Sequence, residues 1–388
     1  MVLSRLSGER GLPRGRRLGR GQGRLRGRCH GSRDGAAAGV LGRRRGGHSE
    51  HCEQGGEAEQ ALESHAGALF DGLSANPCGY AGAALRSTRA LRTLAWGAVA
   101  VGVATPLVRH RLRLRPATVS ALSWPAPAAL ALATRRSPIR DAGIYALQMW
   151  AYFAHYDMPD DDPEALLQRL KVSYPIRFDR AIGLGTAPTI RLQRSVGREG
   201  QVAPLDYLLS AVHWSWFLVP HGTLAYMLLR HRDRFPRSAV LMAACFDLGC
   251  VVYWLVPTAP PWYAGANGQM PPVRRIMAEA GERAWRRLWH PLYHSLQGNP
   301  FAAMPSLHFG TSVMAARILS QVGRGHAALG WAYALTLGFG LVYLGEHYVV
   351  DLLAGFALAE GIWRLGPRAE PAIRIIAGAV HRLEPRAG

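Results

Sequence analysis

Long apolar runs are the feature of this sequence that most restricts its fold. After about residue 90, several runs of 16 to 25 residues are nearly free of charged side chains, whereas the first 60 residues contain only scattered leucines and valines and no such run. A run of about 20 apolar residues is long enough to cross the hydrocarbon core of a bilayer as a helix. The sequence therefore predicts an all-α, polytopic membrane helix bundle.

Eight apolar spans can be placed along the chain, of which the second and third are the weakest. Pro125 and Pro127 interrupt the second span, and the third span is short. We therefore expect six to eight membrane helices. The spans lie at residues 92–108, 118–134, 142–156, 205–229, 238–256, 308–322, 326–345 and 348–365.

The formal net charge of +20 is concentrated in two kinds of place. Thirteen arginines fall within residues 1–50, and most other basic residues form short runs beside apolar spans, such as the run at 230–237. The Arg-rich head contains no interleaved aromatic residues that could stack on bases, so no specific nucleic-acid binding is predicted.

Basic flanks also predict orientation, because short cytoplasmic loops collect Lys and Arg. The turn at 230–237, Arg324 and the basic tail fall on one side if the last five spans are real, and that side is predicted to be the cytoplasm. The segments 157–204 and 257–307 would then be extracytoplasmic. The basic run at 109–115 violates this rule. We expect a multi-pass plasma membrane protein with its active site on the extracytoplasmic side.

Composition divides the chain into four parts. Residues 1–88 lack periodicity and are predicted to be disordered, because they cannot bury enough apolar area to offset the entropy of ordering. Residues 89–139 are predicted to form extra N-terminal membrane helices, 140–366 the core, and 367–388 a basic C-terminal tail.

The five cysteines are scattered without zinc or disulfide spacing, and neither a metal nor another cofactor is predicted.

The stretch Gly-Glu-His-Tyr-Val-Val-Asp at 345–351 begins the last span. His347 and Asp351 are four residues apart and therefore share one face of a helix. A carboxylate that binds one imidazole nitrogen fixes the tautomer and leaves the other nitrogen as a nucleophile. The alternative is a structural pair at a helix start.

A second stretch, Gly-Asn-Pro-Phe-Ala-Ala-Met-Pro-Ser-Leu-His at 298–308, begins the sixth span. Pro305 and Ser306 are typical of a helix start, where Ser306 and the free backbone amides could hold phosphate oxygens. His308 would then protonate a leaving oxygen and later deprotonate an incoming hydroxyl. The alternative is an interfacial histidine bound to a loop carbonyl.

The pairing of Pro-Ser-Leu-His308 with His347-Tyr-Val-Val-Asp351 resembles the type 2 phosphatidic acid phosphatase superfamily, and more closely its branch that includes inositol phosphorylceramide synthase. The resemblance extends over residues 140–366. It implies a six-helix phosphatase-like membrane core and a phosphohistidine intermediate that forms without a metal. His347 matches the nucleophile of the family, Asp351 the residue that orients it, His308 the acid/base and Ser306 a phosphate contact.

One departure from the family concerns the cation that binds the phosphate. Classical members have an arginine six residues before the nucleophilic histidine, where this chain has Leu341. Arg180 and Arg191 are the first candidates to replace it, because they flank a Gly-rich segment on the same predicted side; Arg274 and Arg275 come second. The resemblance to the phosphotransferase branch of the family includes this feature, because that branch also lacks the arginine.

The sequence therefore favours a membrane phosphotransferase that moves a phospho-headgroup from a lipid phosphate ester to an alcohol. Its predicted partners are lipid substrates and the membrane; the sequence does not indicate an oligomeric state. A lipid phosphate phosphatase and a non-catalytic carrier or scaffold are the alternatives. A metal-dependent hydrolase would need a closed ligand set that these residues do not supply.

Overall fold

The computed structural model describes residues 77–198, 200–291 and 298–383. Within these ranges the chain is helical, and the β pairing consists of isolated bridges from Thr258 to Lys171 and to Ala302. The predicted all-α class is confirmed. The predicted disorder of residues 1–76 lies outside the described residues, whereas residues 77–88, which were predicted to be disordered as well, form the beginning of the first helix.

The helices, numbered in chain order, are interrupted by short 3-10 turns. They are α1 (Pro77–Val108), α2 (Pro116–Ser123), α3 (Ala126–Ala133), α4 (Pro138–Asp157), α5 (Pro163–Arg169), α6 (Ser173–Ile182), α7 (Pro188–Ser195), α8 (Pro204–Trp214), α9 (Leu218–Arg230), α10 (Phe235–Leu255), α11 (Pro261–Ala266), α12 (Ile276–Trp285), α13 (Leu307–Ser320), α14 (Arg324–Tyr343) and α15 (Val349–Leu383). Many begin with proline at the first or second position, where its missing N–H costs nothing.

Three helical stretches in the described part of the chain are long and apolar enough to cross a membrane, namely Arg89–Val108, Phe235–Leu255 and Arg324–Tyr343. The chain is a membrane protein. The other predicted spans are also helical but shorter, broken or more polar. The fourth span divides at the 3-10 turn Ser215–Phe217, because Pro220 lacks the N–H that would continue the helical ladder.

The second predicted span is likewise divided, into α2 and α3. The break falls at Trp124 and Pro125, where the prolines of this segment interrupt the helical ladder. Ala95 of α1 packs with Ala129 and Ala133 of α3, and α3 also packs against α4. Small side chains let the helix backbones approach closely without leaving cavities.

Helix α13 lies at the centre of the bundle and packs against α9, α10, α14 and α15. Its apolar residues Val313, Met314 and Ile318 are fully buried in the main hydrophobic core. Gly249 of α10 leaves the space that the Leu307 side chain fills, because a Cβ on Gly249 would lie 2.4 Å from a methyl of Leu307. This packing fixes the start of α13, which carries His308.

Candidate active site

His308, His347 and Asp351 lie in a row where α13 and α15 begin. His308 Nδ1 is 3.2 Å from His347 Nε2, and His347 Nδ1 is 3.5 Å from Asp351 Oδ2. His347 is 4% exposed and Asp351 is 0% exposed. The structure therefore brings together the three residues that the two sequence stretches predicted to act together.

The start of α13 is held by side-chain and backbone hydrogen bonds. The Ser306 hydroxyl accepts a hydrogen bond from the N–H of Phe309 at 3.3 Å and so caps the helix. The N–H of Ser306 donates to the backbone carbonyl of Asp351 at 2.9 Å. Ser306 is fully buried and is not among the residues that line the cavity beside the histidines. Its geometry supports capping, and a phosphate contact stays a prediction.

The start of α15 is held by two carboxylates. Asp351 Oδ2 accepts from the N–H of Tyr348 at 2.8 Å. Asp179 of α6 accepts from the N–H groups of Val349 and Val350, each at 3.0 Å. Burial raises the pKa of the Asp179 carboxyl to about 6, and these two donors only partly oppose that effect. Sequence reasoning did not assign a role to Asp179, because no local pattern links it to α15.

A cavity of about 730 Å³ opens beside His308 and His347. Aromatic side chains dominate its wall, and five charged residues interrupt them. The aromatic residues include Tyr152, Tyr156, Trp214, Trp216, Trp262, Trp285 and Trp289, and the charged residues are Arg109, Asp157, Asp161, Arg275 and Glu346. A mostly apolar wall with a few polar groups is typical of a ligand site.

Arg275 is a cation of the cavity wall that is linked through Glu346 to the row formed by His308, His347 and Asp351. Its Nε is 3.0 Å from Glu346 Oε1, and Glu346 directly precedes His347. Its guanidinium carbon lies 4.0 Å from the centre of the Trp262 ring. This pairing and stacking hold a planar cation at the cavity wall.

The other candidate cations lie elsewhere. Arg180 and Arg191 are exposed and do not line the cavity. Arg274 pairs with Glu279 at 2.5 Å and donates to the backbone carbonyls of Arg198 and Gln201. The phosphate-binding role predicted for Arg180 and Arg191 stays untested, and the geometry favours Arg275.

The two histidines of the fourth span differ in position. The ring centroid of His213 lies 4.9 Å from that of His308, and His213 lines the cavity. His221 contacts Tyr145 and stacks on Phe246 instead.

No group of three or more His, Cys, Asp or Glu side chains suited to a metal ion occurs among the described residues.

Comparison with known proteins gives the family. The model of the PAP2 superfamily matches residues 176–365. Residues 176–365 belong to the PAP2 superfamily. The resemblance identified from the two histidine motifs is thereby confirmed, and the matched segment contains His308, His347 and Asp351.

The chain is also similar to two curated synthases. It is 31% identical over 116 residues to the inositol phosphorylceramide synthase catalytic subunit of Schizosaccharomyces pombe, covering 29% of this chain and 28% of that protein. It is 27% identical over 183 residues to the phosphoinositol dihydroceramide synthase of Bacteroides thetaiotaomicron, covering 42% and 59%. The chain thus spans 28% to 59% of these relatives. No solved structure gives a significant match.

Proposed function

We propose that this protein transfers a phosphoinositol headgroup from an inositol phospholipid to the hydroxyl of a ceramide-type lipid, through a phosphohistidine at His347. The observation that carries the proposal is the row of His308, His347 and Asp351 at the wall of an aromatic cavity. The headgroup and the ceramide-type acceptor follow the names of the relatives from Schizosaccharomyces pombe and Bacteroides thetaiotaomicron, and an inositol phospholipid is the donor class that carries the same headgroup.

In the first half-reaction, His347 Nε2 attacks phosphorus and forms the N–P bond. The bond from phosphorus to the diacylglycerol oxygen breaks, and His308 gives its proton to that oxygen. Asp351 holds the proton on His347 Nδ1 and stabilises the positive ring that results. Because Nδ1 of His308 is only 3.2 Å from Nε2 of His347, the two rings must separate when the phosphoryl group enters between them.

In the second half-reaction, the acceptor hydroxyl attacks phosphorus and gives its proton to His308. The N–P bond breaks, and the proton on Nδ1 again fixes the tautomer of His347. Arg275 supplies positive charge for the phosphate oxygens. It takes the role of the arginine that classical family members have at the position of Leu341. Its contact with Trp262 and its pairing with Glu346 support this role, since a preformed cation needs little rearrangement in the transition state.

The composition of the cavity wall supports a hydroxyl-rich headgroup. Carboxylates such as Asp157 and Asp161 accept hydrogen bonds from hydroxyls, and Arg109 donates hydrogen bonds. The surrounding tryptophans offer flat apolar faces against which a ring can pack. We also propose that the cavity opens on the extracytoplasmic side of the plasma membrane, in agreement with the basic flanks of the apolar spans.

The test is to trap the covalent intermediate. Purified protein in detergent is incubated with phosphatidylinositol that carries ³²P in its headgroup phosphate, quenched, and analysed for acid-labile, base-stable label. We expect label at His347, none in His347→Gln, and discharge of the label to a lipid product when ceramide is added.

Three other outcomes would contradict the proposal. Label from phosphatidic acid that is released only as inorganic phosphate would identify a phosphatase. No label from phosphatidylinositol, phosphatidic acid or a polyprenyl phosphate, in protein shown to be folded, would favour the non-catalytic interpretation. Retention of activity in the His347→Gln variant would exclude the covalent role of this residue.

A further inference from the structure

We propose that Asp179 is a positioning residue that keeps Asp351 available to His347. The inference rests on the proposed roles of His347 and Asp351. Asp179 lies on α6, 168 residues before His347 in the sequence, and is 0% exposed. It touches neither the cavity nor the imidazole rings in any described contact, and it acts through the backbone at the start of α15.

The first N–H groups of a helix have no partner within the helix and attract nearby carboxylates. At the start of α15 three consecutive N–H groups, those of Tyr348, Val349 and Val350, are bound by two carboxylates. Asp179 takes two of them with its two oxygens, and Asp351 takes only the first. The division leaves Asp351 with one buried oxygen, Oδ1, that has no hydrogen-bond partner in the described part of the chain.

Without the Asp179 carboxylate, Asp351 would be the nearest acceptor for Val349 and Val350 as well. Rotation of Asp351 toward these donors would carry its oxygens away from His347 Nδ1, which is already 3.5 Å distant. His347 Nδ1 has no hydrogen-bond partner in the described part of the chain, and this rotation would move the carboxylate that we propose to fix its tautomer still farther away. Asp179 also holds the backbone two and three residues after His347, and in this way helps to set the direction in which the imidazole points.

The first measurement does not depend on turnover. Purified protein with ¹⁵N-labelled histidine is studied by magic-angle-spinning NMR, and the His347 ring signals are assigned by their absence in His347→Gln. We expect Asp179→Asn to change the tautomer balance of His347. Asp206→Asn is the matched control, because Asp206 is another fully buried carboxylate at a helix start, bonded to the N–H of Ala203 and the hydroxyl of Tyr343.

A second variant removes a donor and leaves the carboxylate intact. Val349→Pro deletes one of the two N–H groups that bind Asp179. Val349 is the first residue of α15, a position where proline fits a helix. It should shift the His347 signals in the same direction as Asp179→Asn. An unchanged His347 ring in both variants would overturn the proposal, even if either variant is less stable.

The second measurement is a double-mutant cycle in the transfer assay. Loss of an orienting partner commonly costs on the order of 10- to 100-fold in activity, so Asp179→Asn should lower kcat by about that factor with little change in KM. If Asp179 acts through Asp351, the Asp179→Asn substitution should cause no further loss of kcat in the Asp351→Asn background. Fully additive losses would contradict the proposal. Absence of turnover in the wild type would contradict the proposed function and leave the NMR result to decide on Asp179.

Discussion

The backbones of Gly310 and Gly355 meet where α13 crosses α15. A Cβ on Gly355 would lie 2.4 Å from the carbonyl oxygen of Ser306, and a Cβ on Gly310 would lie 2.9 Å from the carbonyl oxygen of Gly355. Both obstacles are backbone atoms, which cannot move aside as a flexible side chain can. The contact therefore sets how closely the helix start that carries His308 approaches the helix that carries Asp351.

Gly355→Ala should separate α13 from α15 and lower activity by about tenfold or more, because misplacement by about 1 Å can cost on the order of 100-fold. The thermal unfolding midpoint should fall as well, since the added methyl overpacks the contact. Gly361→Ala on the same helix is the control, because a Cβ there would meet nothing within 4 Å. Equal activities of the two variants would show that the crossing does not position the site.

The role of His308 as an acid can be tested by changing the leaving group of the donor. His308→Gln should slow transfer from a phospholipid by about 10²- to 10⁴-fold, because the departing alkoxide then leaves without a proton. A donor with a nitrophenolate leaving group needs no such proton, so its release should be much less affected. The comparison requires first-turnover rates for both donors. Equal losses would assign His308 to a different step.

The pH dependence of stability should reveal the raised pKa of Asp179. Its pKa in the folded protein is about 6 because of burial, whereas an unfolded aspartate titrates near about 3.9. The folded state thus holds this proton more tightly, and the resulting stabilisation is present below about pH 4 and is lost as pH rises through about 6. The wild type should therefore have a higher thermal unfolding midpoint than Asp179→Asn at pH 4, and this difference should become smaller as the pH rises from 4 to 7. A difference that grows over this range would contradict the assignment.

The orientation predicted from basic flanks can be tested by cysteine accessibility in intact cells. In a background without native cysteines, Asn267→Cys should react with a membrane-impermeant thiol reagent, because it lies in the segment 257–307. Arg232→Cys, in the turn at 230–237, should react only after permeabilisation. Both positions are exposed. The reverse pattern would place the cavity on the cytoplasmic side.

Much of the fold and the row of His308, His347 and Asp351 could be predicted because both depend on local patterns. Apolar runs indicate helices, and the four-residue spacing of His347 and Asp351 is compatible with one helix face. The role of Asp179 was not predicted, because its bonds to α15 connect residues about 170 positions apart. The capping by Ser306 shows the same limit: the helix start was recognised, but the direction of its side chain depends on how α13 meets α15.

The replacement of the phosphate-binding arginine gives the last prediction. Arg275→Gln should lower transfer by about 10²- to 10³-fold, the usual cost of losing one preformed donor to the transition state. Arg275→Lys should restore little, because an ammonium neither stacks flat on Trp262 nor binds Glu346 through two nitrogens. Arg180→Gln and Arg191→Gln, at exposed positions outside the cavity wall, should stay within about twofold of wild type. A large loss in either exposed variant with a small loss in Arg275→Gln would instead support the assignment made from sequence alone.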